Sequence, residues 1–306
     1  MYTYAKLRNR IVAIFLSCVI FVIALFLPSA RVLATSLTNE GRTYYVYDAS
    51  TGAYLSSYTL SALPTNTAST SSDISLTSVY GDEDSRVLDY TKNGVVKLVS
   101  SSGAVGTGFV VDEHTIATAA HCVVTSSTTS NCKNTVKEIY CFNGSSTVDM
   151  TASLNEIHVP AEYFTAGNGG TTEYDYALIT VEEDLSDYMC FALGTMLDSY
   201  SGTVSISGFP GTIKQSDGTY ITANDLEKHN QYLGTGTVLS SETGRIAYTV
   251  DTTGGNSGSP VYVTSTYKSN VYYTVIAIHT TGSYSGNSGT RITPTLLQFY
   301  YNNDNL

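Results

Sequence analysis

Short runs of β-branched and aromatic residues, separated by Gly, Ser and Asn, recur along the chain from about position 95. Such runs with turn residues between them predict an all-β barrel or sandwich and disfavour alternating strands and helices. The predicted strands cover 95–99, 107–111, 115–118, 136–142, 176–181, 204–207, 246–250, 261–264 and 272–279. The apolar spacing at 294–300 predicts one short C-terminal helix, with Thr293 as its N-cap.

Residues 1–34 have the pattern of a signal peptide. Three basic residues precede an apolar run at 11–27, and Val32-Leu33-Ala34 fits the site that a signal peptidase reads. We therefore predict cleavage after Ala34 and a secreted, extracellular protein. The apolar run is also near the shortest length that spans a bilayer, so without cleavage it would act as a membrane anchor.

Residues 35–78 form a segment of different character. They contain one predicted hairpin, with strands at 43–47 and 53–58, followed by a Ser/Thr-rich stretch. The apolar residues of this segment are too few to form a core of their own. We interpret the segment as a propeptide or linker that precedes a domain at 79–306.

Composition and charge exclude some classes of function. The 306 residues carry a formal net charge of -11, and only 13% of them are charged. A nucleic-acid partner would require a basic face, and none is visible in the sequence. We therefore expect no nucleic-acid partner, and we expect a monomer.

The cysteines that remain after signal removal are Cys122, Cys132, Cys141 and Cys190. Outside a reducing compartment they allow three disulfide pairings, among which the sequence does not choose. No CxxC pair is present, and no histidine stands at a metal-ligand spacing from them. We expect neither a metal nor an organic cofactor.

The segment Gly254-Gly255-Asn256-Ser257-Gly258-Ser259-Pro260 is the strongest chemical signal. A serine hydroxyl becomes a useful nucleophile when it has an adjacent base and donors for the oxyanion that it creates. Glycines allow a tight loop in which the amides of Gly255 and Ser257 converge on one oxygen. The same composition is also typical of an ordinary turn.

Two further residues complete a possible catalytic triad. His121 follows small residues at the end of a predicted strand, and Asp175 stands at the start of another. A carboxylate there would accept the imidazole N–H of His121, fix its tautomer and stabilise the imidazolium. Each residue alone is more typical of a structural role. Their order along the chain, His, Asp, Ser, strengthens the catalytic interpretation of all three.

The motifs Thr-Ala-Ala-His-Cys at 118–122, Asp-Tyr-Ala-Leu at 175–178 and Gly-Asn-Ser-Gly-Ser-Pro at 255–260 resemble those of trypsin-like serine proteases. The resemblance is closest to the bacterial glutamyl endopeptidases and runs from about Val79 to the C-terminus. It implies two six-stranded antiparallel β-barrels, at about 79–190 and 191–306. It also implies that His121 is the general base, Asp175 its orienting partner and Ser257 the nucleophile.

The narrower resemblance implies that the chain acts on proteins or peptides and cleaves them after Glu, and less readily after Asp. His279 and Thr252 match positions that bind the substrate carboxylate, and a charged imidazolium would bind it best. Maturation beside Ser78 would place the new amino group of Val79 in the same pocket, so we expect the uncut precursor to be weakly active. The alternative is a buried structural His279 and a different substrate preference.

Two departures from the trypsin pattern stand out. Trypsin has an aspartate before the nucleophile, which pairs with its new N-terminus, whereas this chain has Asn256. The strand before His121 also lacks the cysteine that would pair with Cys122.

A non-catalytic binding protein on the same fold remains a further alternative, although such proteins usually lose a triad residue.

Overall fold

The structure, a computed structural model, describes residues 42–60, 79, 83–125, 133–166, 173–197, 200–242, 244–282 and 286–302. The predicted signal peptide at 1–34 and the Ser/Thr-rich stretch at 61–78 lie outside these residues. Within the described ranges, no helix is both long enough and apolar enough to span a membrane.

Strands dominate the described chain. The elements of its first part are β1 (Arg42–Asp48), β2 (Tyr54–Leu60), β3 (Val87–Leu88), β4 (Val95–Ser100), β5 (Val105–Asp112), β6 (Thr115–Thr118), α1 (Ala120–Val123), β7 (Val124–Thr125), β8 (Lys133–Asn134), β9 (Val136–Phe142), β10 (Val148–Ala152), β11 (Leu154–Pro160), α2 (Ala161–Thr165) and β12 (Ala177–Val181). Those of its second part are β13 (Ala192–Leu193), β14 (Thr203–Gly208), β15 (Thr212–Lys214), β16 (Tyr220–Thr222), β17 (Tyr232–Ser241), β18 (Arg245–Tyr248), β19 (Pro260–Tyr267), β20 (Asn270–Thr281), β21 (Asn287–Arg291) and α3 (Pro294–Asn302).

The first barrel closes through a bent strand. Its hydrogen-bonding order is β10-β9-β4-β5-β6-β12-β11, and β10 and β11 are separated only by Ser153. Because β10 pairs with β9 while β11 pairs with β12, the two segments act as one strand that completes a ring of six.

The second barrel closes through β21. Its order is β20-β19-β14-β17-β18-β21, and β21 pairs with both β18 and β20. The neighbouring strands within each ring are antiparallel, so the predicted fold class of two six-stranded antiparallel β-barrels is confirmed. The predicted division near residue 190 falls between β12 and β13, and the bounds of the 79–306 domain stay a prediction.

Three apolar clusters account for the buried interior. One fills the first barrel and includes Ile116 and Ile179, and another fills the second barrel and includes Ile246. The third joins Phe109 of the first barrel to Phe209 of the second. The two barrels therefore pack through a continuous apolar interface, and residues at its edge are held in a fixed relative position.

The predicted C-terminal helix is confirmed as α3. The hydroxyl of Thr293 accepts the backbone N–H of Leu296 at 3.2 Å, which is the geometry of an N-cap. Leu296 and Phe299 are buried in the cluster between the barrels. The helix thus fastens the end of the chain to the same interface.

The predicted N-terminal hairpin is also confirmed, as β1 and β2. It does not stand apart from the barrels, because β1 pairs antiparallel with β11 from Tyr44 opposite Pro160 to Asp48 opposite Glu156. Tyr44 is fully buried, and its ring stacks on Phe299 with centroids 4.3 Å apart. The barrel supplies the core that the hairpin lacks by itself. Its role as a propeptide or linker stays a prediction.

Candidate functional site

Two antiparallel strands bring His121 to Asp175. Thr118 at the end of β6 pairs with Ala177 at the start of β12, so the residues just beyond these ends are neighbours. The imidazole Nδ1 of His121 lies 2.6 Å from Oδ2 of Asp175, and the backbone N–H of His121 donates to Oδ1 at 2.9 Å. Both carboxylate oxygens are therefore used to orient this histidine.

The electrostatic coupling of this pair follows from its burial. The side chain of Asp175 is fully buried, whereas 30% of the His121 side chain is exposed. Burial disfavours a charged imidazole, but the carboxylate outweighs it and holds the pKa of His121 well above its ordinary value. Burial would raise the pKa of Asp175, but the charge and hydrogen bonds of His121 reverse this and lower it.

The loop that carries Ser257 packs against the strands that lead to His121. The backbone N–H of Thr107 donates to the carbonyl of Ser257 at 2.8 Å, and the hydroxyl of Thr107 donates to the carbonyl of Gly255 at 2.8 Å. Gly258 has a φ of 85°, and a β-carbon there would overlap the backbone of Thr107 and the hydroxyl of Thr118. The half-buried Ser257 is thus placed beside the segment that leads into α1.

The amides of this loop are divided into two groups. Asn256 N–H donates to the carbonyl of Thr253, Gly258 N–H to that of His279 and Ser259 N–H to that of Asn256. By contrast, the N–H groups of Gly255 and Ser257 bond to no acceptor among the described residues. Gly255 adopts a φ of 100°, which is accessible mainly to glycine. The two free amides are those expected to hold an oxyanion.

His279 lies next to the same loop. Its backbone N–H donates to the carbonyl of Ser259 at 2.9 Å, and its ring Nδ1 lies 2.7 Å from the hydroxyl of Tyr248. Burial and nearby positive charges, first His121 and then Arg245, lower the pKa of His279 to about 3. This pKa favours the neutral ring near neutral pH, and the role of His279 in binding a substrate carboxylate stays a prediction.

The other two predicted pocket residues are buried. Thr252 is 1% exposed and lies in the chain segment that leads to Ser257. Val79 is 9% exposed, and Ser78 before it lies outside the described residues. The assignment of both residues to a substrate pocket stays a prediction.

Three residues around the site were missed by sequence reasoning. Tyr248 resembles any aromatic strand residue, and Arg86 and Arg245 carry no motif of their own. Arg245 donates to Thr280 Oγ1 at 2.8 Å, and its charge helps to lower the pKa of Asp175. Arg86 bonds to Asn256, the neighbour of Ser257, at 3.1 Å. Their partners lie far away in sequence, so only the fold reveals these contacts.

The described cysteines and carboxylates form no further centre. Cys122, Cys141 and Cys190 are not joined to one another by a disulfide, and Cys132 lies outside the described residues. The described part of the chain contains no group of three or more His, Cys, Asp or Glu side chains arranged to hold a metal ion.

Comparison with known proteins adds a family model, two curated relatives and a solved structure. The model of the trypsin-like peptidase domain matches residues 106–268. A Glutamyl endopeptidase from Bacillus licheniformis is 32% identical over 228 residues, covering 72% of this chain and 66% of that protein. An Extracellular metalloprotease from Bacillus subtilis is 33% identical over 207 residues, covering 65% of this chain and 58% of that protein.

The match therefore spans less than two thirds of the length of each curated relative. Among solved structures, that of Glu endopeptidase in complex with MPD aligns with a TM-score of 0.58 at 24% sequence identity. The alignment covers 75% of this chain and 100% of the other. This likeness establishes the shared fold of the two proteins.

Proposed function

Because the chain belongs to the trypsin-like peptidase family, we propose that it is a serine endopeptidase that cleaves peptide bonds after glutamate, and less readily after aspartate. The observation that carries the proposal is the 2.6 Å contact between His121 and Asp175 beside the loop of Ser257. Similarity to a Glutamyl endopeptidase over 72% of the chain supports the same conclusion.

The proposed reaction passes through an acyl-enzyme. Ser257 Oγ attacks the scissile carbonyl carbon while His121 takes its proton, and Asp175 stabilises the resulting imidazolium. The amides of Gly255 and Ser257 donate to the oxyanion. His121 then protonates the leaving amine, and water hydrolyses the acyl-enzyme by the same sequence of proton transfers.

Glutamate selectivity in this proposal depends on the uncharged ring of His279. If Tyr248 donates its O–H to Nδ1, the proton of the neutral ring lies on Nε2. An Nε2–H donor suits a substrate carboxylate, and the charge of the partly buried Arg245 adds a favourable field. Thr252 would supply a second donor.

Export and maturation form part of the proposal. A signal peptide at 1–34 would direct the chain out of the cell, in keeping with the word extracellular in the name of one relative. Cleavage beside Ser78 would release the amino group of Val79 as a further cation for the substrate carboxylate. We expect the uncut form to hydrolyse a Glu substrate far more slowly than the processed form, and comparable rates would contradict this.

A peptide library tests the substrate preference. The processed protein is incubated with mixed peptides, and the cut sites are identified by mass spectrometry, with Ser257→Ala as the inactive control. We expect most cuts after Glu, a minority after Asp and none with the control. Cuts mainly after other residues would favour the alternative trypsin-like specificity. Unchanged Glu selectivity in His279→Ala would instead show that His279 is structural and does not bind the substrate carboxylate.

Active-site labelling separates an enzyme from a binding protein on the same fold. A fluorophosphonate should label Ser257 in the wild type and should fail to label His121→Ala, because the hydroxyl then lacks its base. Absence of labelling in the folded, processed wild type would favour the non-catalytic alternative.

A further inference from the structure

Asn256 occupies the position at which trypsin carries an aspartate, and its side chain is buried with 1% exposure. Its Oδ1 accepts from the Nη1 of Arg86 at 3.1 Å and from the backbone N–H of Thr253 at 3.1 Å. A buried amide oxygen that receives two donors is held in one orientation. Asn256 also stands between Gly255 and Ser257, whose amides are proposed to hold the oxyanion.

Arg86 is anchored on every side. Its Nη1 donates to Thr253 Oγ1 at 3.0 Å, and its Nη2 to the carbonyl of Thr212 at 3.1 Å. Its Nε and Nη2 bind the two carboxylate oxygens of Asp84 at 2.8 and 2.6 Å. The side chains of Arg86 and Asp84 are each 1% exposed. Such a bidentate buried pair is geometrically rigid.

The charge balance explains why Asn256 is an amide. Arg86 is already neutralised by Asp84, so a second carboxylate at position 256 would be buried with an uncompensated charge. A neutral amide oxygen accepts from the guanidinium without adding charge. The departure from the trypsin sequence and the Asp84–Arg86 pair thus form one consistent arrangement.

The segment that carries Arg86 is fixed at a second point. The backbone N–H and hydroxyl of Ser85 donate to Oδ2 of Asp251 at 2.7 and 2.6 Å. Asp251 begins the chain segment that leads to Ser257. The residues at 84–86 are therefore bonded to the segment that precedes Ser257 at three points, Asp251, Thr253 and Asn256.

We propose that Arg86 is a positioning residue that holds the loop of Ser257 in its oxyanion-binding form before any maturation cleavage. The guanidinium takes the place of a new N-terminal ammonium, and its contact with Asn256 fixes the amides of Gly255 and Ser257. This inference rests on the proposed serine peptidase function. Cleavage beside Ser78 then changes recognition of the substrate carboxylate and leaves the oxyanion site unchanged.

The rate of fluorophosphonate labelling reports on Ser257 and its oxyanion site. It does not depend on the pocket that would bind a Glu side chain, because the probe has none. We compare processed wild type with Arg86→Ala, and use Lys92→Ala as the control. Lys92 is another buried cation of the same segment, paired with Asp89 at 3.4 Å. Arg86→Ala should label about 100-fold more slowly or worse, as expected for loss of an oxyanion donor. Lys92→Ala should label at close to the wild-type rate.

Three further readouts separate positioning from general stability. In Arg86→Ala the loss should fall on kcat for a Glu substrate while KM changes by less than about threefold. Added guanidinium should restore part of the labelling rate, and Asn256→Ala combined with Arg86→Ala should cost little more than either change alone. The Asn256→Ala variant carries the test if Arg86→Ala does not fold.

The last comparison in the labelling experiment uses the uncut chain. With the site beside Ser78 blocked, the full chain after signal removal should label at a rate within about threefold of the processed enzyme, since the oxyanion site is already assembled. The inference would be overturned if Arg86→Ala were labelled at the wild-type rate. It would also be overturned if the processed enzyme were labelled and the uncut chain were not. Failure of processed wild type to label would instead refute the peptidase function itself.

Discussion

The hydroxyl of Tyr248 lies 2.7 Å from Nδ1 of His279, and both side chains are buried. Among the described residues, the ring Nε2 of His279 has no hydrogen-bond partner. The phenol therefore controls one nitrogen of the imidazole and leaves the other for a ligand. Under the proposed function, Tyr248 would set which tautomer a substrate carboxylate meets.

Tyr248→Phe should weaken glutamate selectivity. Without the phenol O–H, the neutral ring loses its preference for a proton on Nε2, and a buried nitrogen is left unpaired. We expect kcat/KM for a Glu substrate to fall by about 10-fold to 100-fold, the worth of a hydrogen bond to a charged group. The value for the matching Gln substrate should change little.

The control for this change is Tyr262→Phe, which removes another buried phenol O–H whose partner is Ser207 at 3.2 Å. That variant should lose stability without losing the preference of Glu over Gln. An equal fall for Glu and Gln substrates in Tyr248→Phe would show that Tyr248 supports packing and does not set the tautomer.

The acid limb of activity should lie above pH 6.5. The general base must be neutral, and the carboxylate of Asp175 holds the pKa of His121 well above its ordinary value. In Asp175→Asn the largest influence that raises the pKa of His121 is gone, whereas burial, which lowers it, remains. The acid limb of kcat/KM should move to lower pH, while the rate falls by about 10⁴-fold, as in the trypsin triad.

The measurement is kcat/KM across pH for a blocked Glu substrate in which an ester replaces the scissile peptide bond. The protein must be shown to be folded at each pH. An acid limb at the same pH in wild type and Asp175→Asn would mean that this carboxylate does not set the protonation of His121.

Burial of a neutral His279 should make the fold sensitive to acid. Its pKa is about 3 in the folded protein, below the ordinary value of 6.5, so between these values the unfolded chain binds a proton that the folded one does not. Stability should fall as pH decreases below 6.5, by up to about 1.4 kcal/mol per pH unit from this group. Above that range His279 contributes no pH dependence.

His279→Gln should remove one proton from this linkage. Urea unfolding at intervals from pH 7 to pH 4 measures it, with the two proteins compared by their slopes so that a constant stability difference cancels. Identical slopes would mean that His279 is charged in the folded protein.

The strands, the C-terminal helix and its cap were predictable because their signals are local. Thr293 precedes an apolar helical spacing by one residue, and the strand runs of each barrel are bounded by turn residues. The barrel closures were implied by the family resemblance and not by these patterns. Each barrel also requires pairings between strands far apart in sequence, such as β6 with β12 in the first and β14 with β19 in the second.

The support of the site was not predictable for the same reason. Arg86 and Asn256 are 170 positions apart, and Tyr248 and His279 are 31 apart. Neither pair has a spacing that any periodic pattern records. The motifs at His121, Asp175 and Ser257 indicated candidate catalytic residues, whereas the groups that orient them emerge only when the chain is folded.

The N-terminal hairpin should remain attached after maturation. Its first strand is paired along β11, and Tyr44 is buried against Phe299, with its hydroxyl 3.1 Å from that of Tyr176. Cutting the chain beside Ser78 removes none of these contacts. Processed enzyme should therefore elute in size-exclusion chromatography as one complex of two chains, with the 35–78 fragment released only by denaturant.

Tyr44→Ala tests whether this burial retains the fragment. It should lower the free energy of unfolding by about 3–5 kcal/mol, as expected for an aromatic side chain removed from a core, and should release the fragment on processing. Leu55→Ala, at a position 48% exposed on β2, should do neither. A contrary result would be a processed enzyme that loses the fragment without denaturant and keeps its melting temperature. The hairpin would then be a removable propeptide, because the edge of β11 would be stable without a pairing strand.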